Sequence, residues 1–303
     1  MVARLKQLTS VVAPSTLITS LLFYFGYIGT RSRFDYFGVY LDMTDLSNQQ
    51  LLLYGLEVIY VPAALGFLAV LAALTFHSGV RWLLDVRGSD TAILIIGPGA
   101  ALVGILLIGR ALLGIFNSGV YDREVPGTTP LALTLGSVAM AYGVWICARR
   151  ARRVAADRAE HGGLIAWYDG ATMAGLRRAG QICVGGLAIA GLFWSVHEFA
   201  WASGSARAYR DAVKLPKKPE VMLDTRERLT DISAVSAWVE ESPLSPKEGA
   251  FRYRYTGLRL LLSSGGNLFL VPERWTTSGR TLVVPYDDSV RIQLIPKPGG
   301  SQG

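Results

Sequence analysis

The chain has 303 residues, of which 51% are hydrophobic and only 17% are charged, and its formal net charge is +7. Soluble globular domains usually contain about 25% charged residues, so this composition excludes an ordinary soluble protein and indicates a chain largely surrounded by lipid. The basic residues cluster beside apolar stretches, which argues against nucleic acid as a partner and favours contact with anionic lipid.

Five apolar stretches follow one another along the chain, each close to or above the roughly 20 residues that an α-helix needs to cross a bilayer. They lie at Thr9–Gly29, Leu51–Phe76, Thr91–Phe116, Pro130–Ala148 and Gly180–Trp201. Backbone polar groups must be paired within lipid, so each stretch must span as a helix. Residues 1–201 are therefore predicted to form an α-helical integral membrane bundle of five transmembrane helices, the first being an uncleaved signal-anchor.

The distribution of basic residues predicts the orientation of this bundle. With a cytoplasmic N-terminus, the inner loops carry eleven Lys and Arg residues and the outer loops carry three. The positive-inside rule then predicts a multi-pass protein of the cell membrane with an extracytoplasmic C-terminus. Contact with anionic lipid is predicted for six arginines beside the fourth and fifth spans: Arg149, Arg150, Arg152, Arg153, Arg177 and Arg178.

Two features between the spans predict local structure. The first outer loop, Thr30–Gln50, is rich in aromatic residues and is typical of a segment lying at the membrane interface. Within it, Ser47 and Gln50 have the spacing of a capping box that opens the second span. In the third span, glycines recur every two to five residues, which predicts close packing around most of that helix.

The composition changes after Trp201, where residues 202–219 are predicted to form a polar stalk and linker. Residues 220–303 are predicted to form a small extracytoplasmic β-rich domain with alternating polar and apolar side chains. Its strand-like runs are Val221–Asp224, Phe251–Leu262, Asn267–Val271, Thr281–Pro285 and Val290–Ile295. The sequence Ser263-Ser264-Gly265-Gly266 predicts a hairpin turn between the second and third of these runs.

Two segments carry a resemblance to a group of proteins. The Tyr36-Phe37-Gly38 sequence stands before a second span that begins Gln-x-Leu-Leu-Leu-Tyr, and the tail contains the run Arg252-Tyr253-Arg254-Tyr255-Thr256-Gly257-Leu258-Arg259-Leu260-Leu261. In this combination the chain resembles uncharacterised polytopic membrane proteins of actinobacteria. The resemblance covers most of the chain and implies a cellular setting, but no chemistry.

The ionisable residues within the spans are the candidate site. They are Glu57, Arg110, His197 and Glu198, and helix geometry puts all four at a similar depth toward the outer surface. An unpaired charge in the membrane costs several kcal/mol, so Glu57 is predicted to pair with Arg110. The cluster is interpreted as a structural ion pair, with His197 and Glu198 reaching the headgroup layer, or alternatively as a functional polar site.

The sequence contains no P-loop, HExxH or GxSxG motif, which argues against an enzyme, and no cofactor is predicted. No metal site is predicted, because adjacent His197 and Glu198 face different directions on a helix. The leading hypothesis is a non-enzymatic membrane-anchored binding or scaffold protein that presents the β domain to an extracytoplasmic protein or envelope component. The alternative is a component of small-solute or ion transport, and homo-oligomerisation stays open.

Overall fold

The computed structural model describes residues 2–85, 90–157, 171–229, 238–245, 250–276 and 278–296, with the backbone alone at 2–13, 84–85, 90–94, 153–157 and 171–173. Its α-helices are α1 (Val2–Asp35), α2 (Asn48–Asp85), α3 (Asp90–Phe116), α4 (Ser118–Tyr121), α5 (Thr128–Asp157) and α6 (Ala171–Lys214). One-turn 3₁₀ helices lie at Leu41–Met43 and Leu215–Lys217. The predicted capping box opens α2, because Gln50 Oε1 accepts from the Ser47 amide at 3.0 Å and Ser47 Oγ accepts from the Gln50 amide at 3.3 Å.

Four of these helices are long and apolar enough to cross a membrane. In the described residues they span Asn48–Leu83, Ile95–Phe116, Thr128–Arg152 and Ala174–Lys217. Large apolar side chains on them face outward, for example Phe67 at 78% exposure and Phe116 at 84%. Surfaces of this kind are stable in lipid rather than in water. The helix α1, which contains the first predicted span, is not among the four, and five spans stay a prediction.

The chain divides into two compact units, one made of Met1–Ile59 with Ala200–Gly303 and the other of Tyr60–Phe199. These units differ from the predicted division at residues 201 and 219. The difference arises because the C-terminal part of α1, the loop that follows it and the end of α6 pack with the C-terminal sheet. We call the first the sheet unit and the second the helical unit.

The described part of the sheet unit contains six antiparallel strands. They are β1 (Glu220–Thr225), β2 (Glu240–Pro243), β3 (Tyr253–Ser264), β4 (Asn267–Pro272), β5 (Leu282–Pro285) and β6 (Val290–Ile295). The order across the sheet is β5-β4-β3-β1-β6, and β2 pairs with β3. Five strands follow the predicted runs and β2 was not predicted, because its Glu-Glu-Ser-Pro sequence has no apolar alternation. The predicted hairpin turn is confirmed by Gly265 and Gly266, whose φ angles are +57° and +71°.

One hydrophobic core joins the sheet to the helix ends. Its buried members are Phe34, Phe37, Val39, Leu41, Leu51, Ala208, Leu215, Phe269 and Val271. In the segment Thr30–Gln50, whose place at the membrane interface stays a prediction, Phe34 and Phe37 are buried in this core rather than exposed to lipid. Phe37 meets the ring of Trp275 at 5.0 Å between centroids. The rings of Phe34 and Phe37 therefore contact protein, whereas Tyr40 of the same segment is 72% exposed.

A second feature of the sheet is a buried charge on β1. The carboxylate of Asp224 is fully buried and accepts hydrogen bonds from Arg254 on β3 at 2.8 Å and from Arg291 on β6 at 2.6 Å. Burial raises the pKa of Asp224, but the hydrogen bonds from the two guanidinium groups outweigh it and hold the pKa below its usual value. Asp224 therefore stays ionised at neutral pH and ties three neighbouring strands together.

Within the sheet unit, small residues let α1 approach two other helices closely. A Cβ atom added at Gly26 would lie 2.0 Å from the Leu51 carbonyl oxygen of α2, and one added at Gly204 of α6 would lie 2.2 Å from the Gly29 carbonyl oxygen. Ser32 Oγ of α1 donates to the Trp201 carbonyl oxygen of α6 at 2.7 Å. These backbone contacts require glycine at both crossings.

In the helical unit, α3 and α5 pack through a stripe of small residues. Cβ atoms added at Gly104 of α3 and at Gly143 of α5 would both lie 2.4 Å from backbone nitrogen atoms of the facing helix. Gly99 and Gly109 of α3 have no neighbour within 4 Å of such an atom. The prediction of close packing around most of α3 is therefore wrong, because only the residues on its α5 side make these contacts.

Candidate functional site

The four residues of the predicted polar cluster fall into the two units, with Glu57 in the sheet unit and the other three in the helical unit. Glu57 Oε2 pairs with Arg207 Nη1 of α6 at 2.9 Å, although the Glu57 side chain is 62% exposed. Glu57 and Arg110 thus each pair with a residue of their own unit, and the Glu57–Arg110 pair stays a prediction. Arg207 was missed because the fifth apolar stretch ends at Trp201, whereas α6 continues to Lys214.

Arg110, near the end of α3, pairs with Glu124 in the segment between α4 and α5. Its Nη2 atom donates to Glu124 Oε2, while the other carboxylate oxygen accepts from the Thr129 amide at 3.1 Å and from the Thr129 hydroxyl. The Glu124 side chain is only 9% exposed. Burial raises the pKa of Glu124, but the bonds from Thr129 and Arg110 outweigh it and hold the pKa below its usual value. Glu124 is therefore an ionised partner for Arg110.

Glu198 of α6 accepts two hydrogen bonds from aromatic side chains. Tyr121 Oη of α4 donates to Glu198 Oε1 at 2.6 Å, and Trp194 Nε1 donates to the same oxygen at 3.1 Å. The two rings stack with centroids 6.0 Å apart. Burial and the bond to the Glu198 carboxylate raise the pKa of Tyr121 to about 12, so the phenol keeps its proton and remains a donor.

We call Arg110, Tyr121, Glu124, Thr129, Trp194 and Glu198 the α4 cluster. Sequence reasoning missed Tyr121 and Glu124 because it considered only ionisable residues inside the apolar stretches. The sequence did contain a signal for this pair. Arg110 and Glu124 are only 14 residues apart, so a chain that turns back after the end of α3 can bring the two side chains together. His197, beside Glu198 on α6, is half-buried. Buried Arg110 Nη1 has no hydrogen-bond partner among the described residues.

Arginines at the far ends of α5 and α6 line a cavity in the helical unit. Of the six predicted lipid-contact residues, the cavity is lined by Arg149, Arg152, Arg177 and Arg178. The guanidinium of Arg149 also lies 5.5 Å from the ring centroid of Trp145. Arg150 does not belong to the lining, and the side chain of Arg153 lies outside the described residues. The cavity measures about 1190 Å³, and its remaining walls are mainly apolar.

A smaller cleft of about 340 Å³ opens on the sheet unit. Its lining residues are Glu220, Trp238, Glu240, Thr256, Gly257, Glu273 and Arg274. The Arg274 guanidinium lies 4.3 Å from the ring centroid of Trp238, and the Glu220 carboxylate accepts from the Gly257 amide at 3.0 Å. We call this the sheet cleft. It combines an exposed aromatic ring with carboxylates, which suits recognition of a polar ligand.

Comparison with protein-family models, with curated proteins and with solved structures finds no match. The resemblance to actinobacterial membrane proteins thus stays a prediction. Within the described residues, no group of three or more His, Cys, Asp or Glu side chains could hold a metal ion.

Reversing the charge of Arg110 is expected to destabilise the helical unit, and reversing Glu124 as well is expected to restore much of the loss. Arg110→Glu would place two carboxylates next to each other. Because Arg110 is partly exposed, the free energy of unfolding is expected to fall by only about 2 kcal/mol. The double variant Arg110→Glu/Glu124→Arg should regain at least about half of this. Denaturant unfolding of the detergent-solubilised protein measures each free energy.

The exposed neighbour Arg123 is the matched control, and Arg123→Glu is expected to change the free energy of unfolding by less than about 0.5 kcal/mol. Rescue of Arg110→Glu by Glu57→Arg instead of Glu124→Arg would contradict this pairing and favour the pair predicted from sequence.

Proposed function

We propose that this chain is a five-span integral membrane protein, with a cytoplasmic N-terminus, that binds an extracytoplasmic protein or envelope component through its C-terminal sheet. The observation that carries the proposal is the shared core of the sheet unit. Leu215, in the 3₁₀ helix that follows α6, and Phe37 after α1 are buried together with Phe269 of β4. Because the sheet shares its core with these helix ends, the sheet is held rigidly on them. A rigid surface loses less conformational entropy when it binds a partner, which favours a binding function.

The sheet cleft is the proposed binding surface. Trp238 is 52% exposed although the Arg274 guanidinium lies over its ring, and aromatic residues are enriched at binding interfaces. The Glu240 side chain at the same cleft is also exposed. A polar group of the partner can therefore be recognised next to an apolar surface, as in most specific sites.

The contacts of the charged residues favour this function over transport. Glu57, Arg110 and Glu198 each contact a charged or hydrogen-bonding side chain of the same unit. Charges paired at such distances lock helices together, whereas a transport path requires charges that exchange partners with a solute. The geometry thus favours the structural interpretation of the predicted polar site.

Cysteine labelling tests the orientation. In a background with Cys147→Ser and Cys183→Ser, a single cysteine is placed at exposed Tyr286 of the sheet unit, or at exposed Arg81 of α2 as the control. A membrane-impermeant maleimide is expected to label Tyr286→Cys in intact cells and Arg81→Cys only after lysis. Protection of Tyr286→Cys in intact cells would refute the extracytoplasmic sheet.

Cross-linking in intact cells tests the binding function. A photoreactive phenylalanine at Trp238 is expected to yield a discrete adduct, while the same residue at exposed Tyr286, outside the cleft lining, should yield none. A second substitution, Glu240→Lys, should remove the adduct, and Glu227→Lys on an exposed residue outside the cleft should leave it. Absence of an adduct at Trp238, or an adduct unaffected by Glu240→Lys, would refute binding at the sheet cleft.

A further inference from the structure

We propose that the cavity lined by α5 and α6 binds one anionic glycerophospholipid, with its phosphate at the arginines and an acyl chain along the apolar walls. The proposal concerns the helical unit and is independent of what the sheet cleft binds. Basic pockets between membrane helices are suited to anionic lipid headgroups, because phosphate oxygens accept several charge-assisted hydrogen bonds. We call the cavity the α5–α6 groove.

Charge is concentrated at one end of the α5–α6 groove. Arg149 and Arg152 lie toward the C-terminal end of α5, and Arg177 and Arg178 lie toward the N-terminal end of α6. The other lining residues on α5 begin at Val138, and those on α6 extend to Ala188. The arginines are the last lining residues of α5 and the first lining residues of α6. The four cations therefore share one end of the groove, and the apolar lining residues of both helices extend away from them.

The length and volume of the groove match a lipid chain. Val138 and Arg152 are separated by about 21 Å at 1.5 Å per helical residue. One leaflet of a bilayer is about 15 Å of hydrocarbon, so the groove is long enough for an acyl chain in full. The groove is partly open, and its volume of about 1190 Å³ leaves room for a lipid headgroup together with an acyl chain.

Glycines of α6 keep the groove open. A Cβ atom added at Gly180 or Gly185, both of which line the groove, would meet nothing within 4 Å. A methyl group at either position would therefore displace no protein atom, and a larger side chain would enter the groove. Gly186 also has nothing within 4 Å of such an atom, but it is not part of the lining. Gly185 and Gly186 therefore form a matched pair for testing the groove.

The test is native mass spectrometry of the full-length protein in neutral detergent with equal amounts of phosphatidylglycerol and phosphatidylcholine. The wild-type chain is expected to retain one phosphatidylglycerol in preference to phosphatidylcholine. Gly185→Trp is expected to lower this occupancy at least about tenfold, and Gly186→Trp should leave it unchanged. Equal retention by the two variants, or equal retention of the two lipids, would overturn the proposal.

A headgroup variant keeps the proposal testable if Gly185→Trp fails to fold. Arg178→Gln is expected to weaken phosphatidylglycerol binding about fivefold, in line with the usual contribution of one basic residue near a lipid headgroup. Arg81→Gln removes the same charge from an exposed position outside the groove and should have no effect. Displacement of the lipid by millimolar inorganic phosphate would show that the site recognises phosphate alone and would overturn a lipid groove.

Discussion

Replacing Arg259 with leucine is expected to lower the free energy of unfolding of the full-length protein by about 3 kcal/mol. The Arg259 side chain is fully buried on β3 and donates to the Leu215 carbonyl oxygen at 3.2 Å and to the Leu258 carbonyl oxygen at 3.0 Å. It also pairs with the Glu273 carboxylate at 2.9 Å. Leucine would leave these acceptors without their donor, although the partly exposed Glu273 can regain contact with water, which limits the loss.

The measurement is denaturant unfolding of the protein in detergent micelles, followed by tryptophan fluorescence. Arg228 is the matched control, because it forms a salt bridge with Glu241 at 2.8 Å but its side chain is 69% exposed. Arg228→Leu is expected to cost less than about 1 kcal/mol. Similar losses for the two variants would show that Arg259 does not tie the end of α6 to the sheet.

A second large effect is expected from a single methyl group in the helical unit. Gly104→Ala should lower the free energy of unfolding by about 2–3 kcal/mol, because overpacking forces the backbones apart. The added Cβ would lie 2.4 Å from Met140 N and 2.7 Å from the Gly136 carbonyl oxygen, and backbone atoms cannot move aside as a flexible side chain can. Unfolding in a graded mixture of dodecyl sulfate and neutral detergent measures the loss.

Gly109→Ala on the same helix is the control for this prediction. An atom added at Gly109 meets nothing within 4 Å, and alanine has a higher helix propensity than glycine. This variant should therefore be neutral or slightly stabilising. If Gly104→Ala were as stable as Gly109→Ala, the close approach of α3 and α5 would be disproved.

Much of the fold was predictable because its signals are local. Hydropathy predicted five spans, of which four are helices long and apolar enough to cross a membrane. The strand-like runs predicted five of the strands, and the Ser47–Gln50 spacing predicted the start of α2. Each signal depends on residues a few positions apart, which share one element. The strand β2 was missed because its Glu-Glu-Ser-Pro sequence pairs at the edge of the sheet without an apolar face.

The candidate site was predicted less well, because it depends on which charges meet. Residues such as Glu57 and Arg110 were identified as charges needing partners, and both have one. The partners Arg207 and Glu124 lie outside the apolar stretches. A search for charges that are costly to bury in the membrane therefore identified only one residue of each pair. The α5–α6 groove likewise depends on bringing basic residues from two helices to one end of a cavity.

The amino-acid sequence was sufficient to establish a chain of apolar helices followed by an antiparallel sheet, since hydropathy and periodicity are properties of consecutive residues. Only the tertiary structure shows that Phe37 packs with Trp275, that Arg259 donates to the Leu215 carbonyl oxygen, and that Gly104 faces α5. Those contacts join residues far apart in the chain. Their free energy depends on a relative placement of helices and strands that no local pattern records.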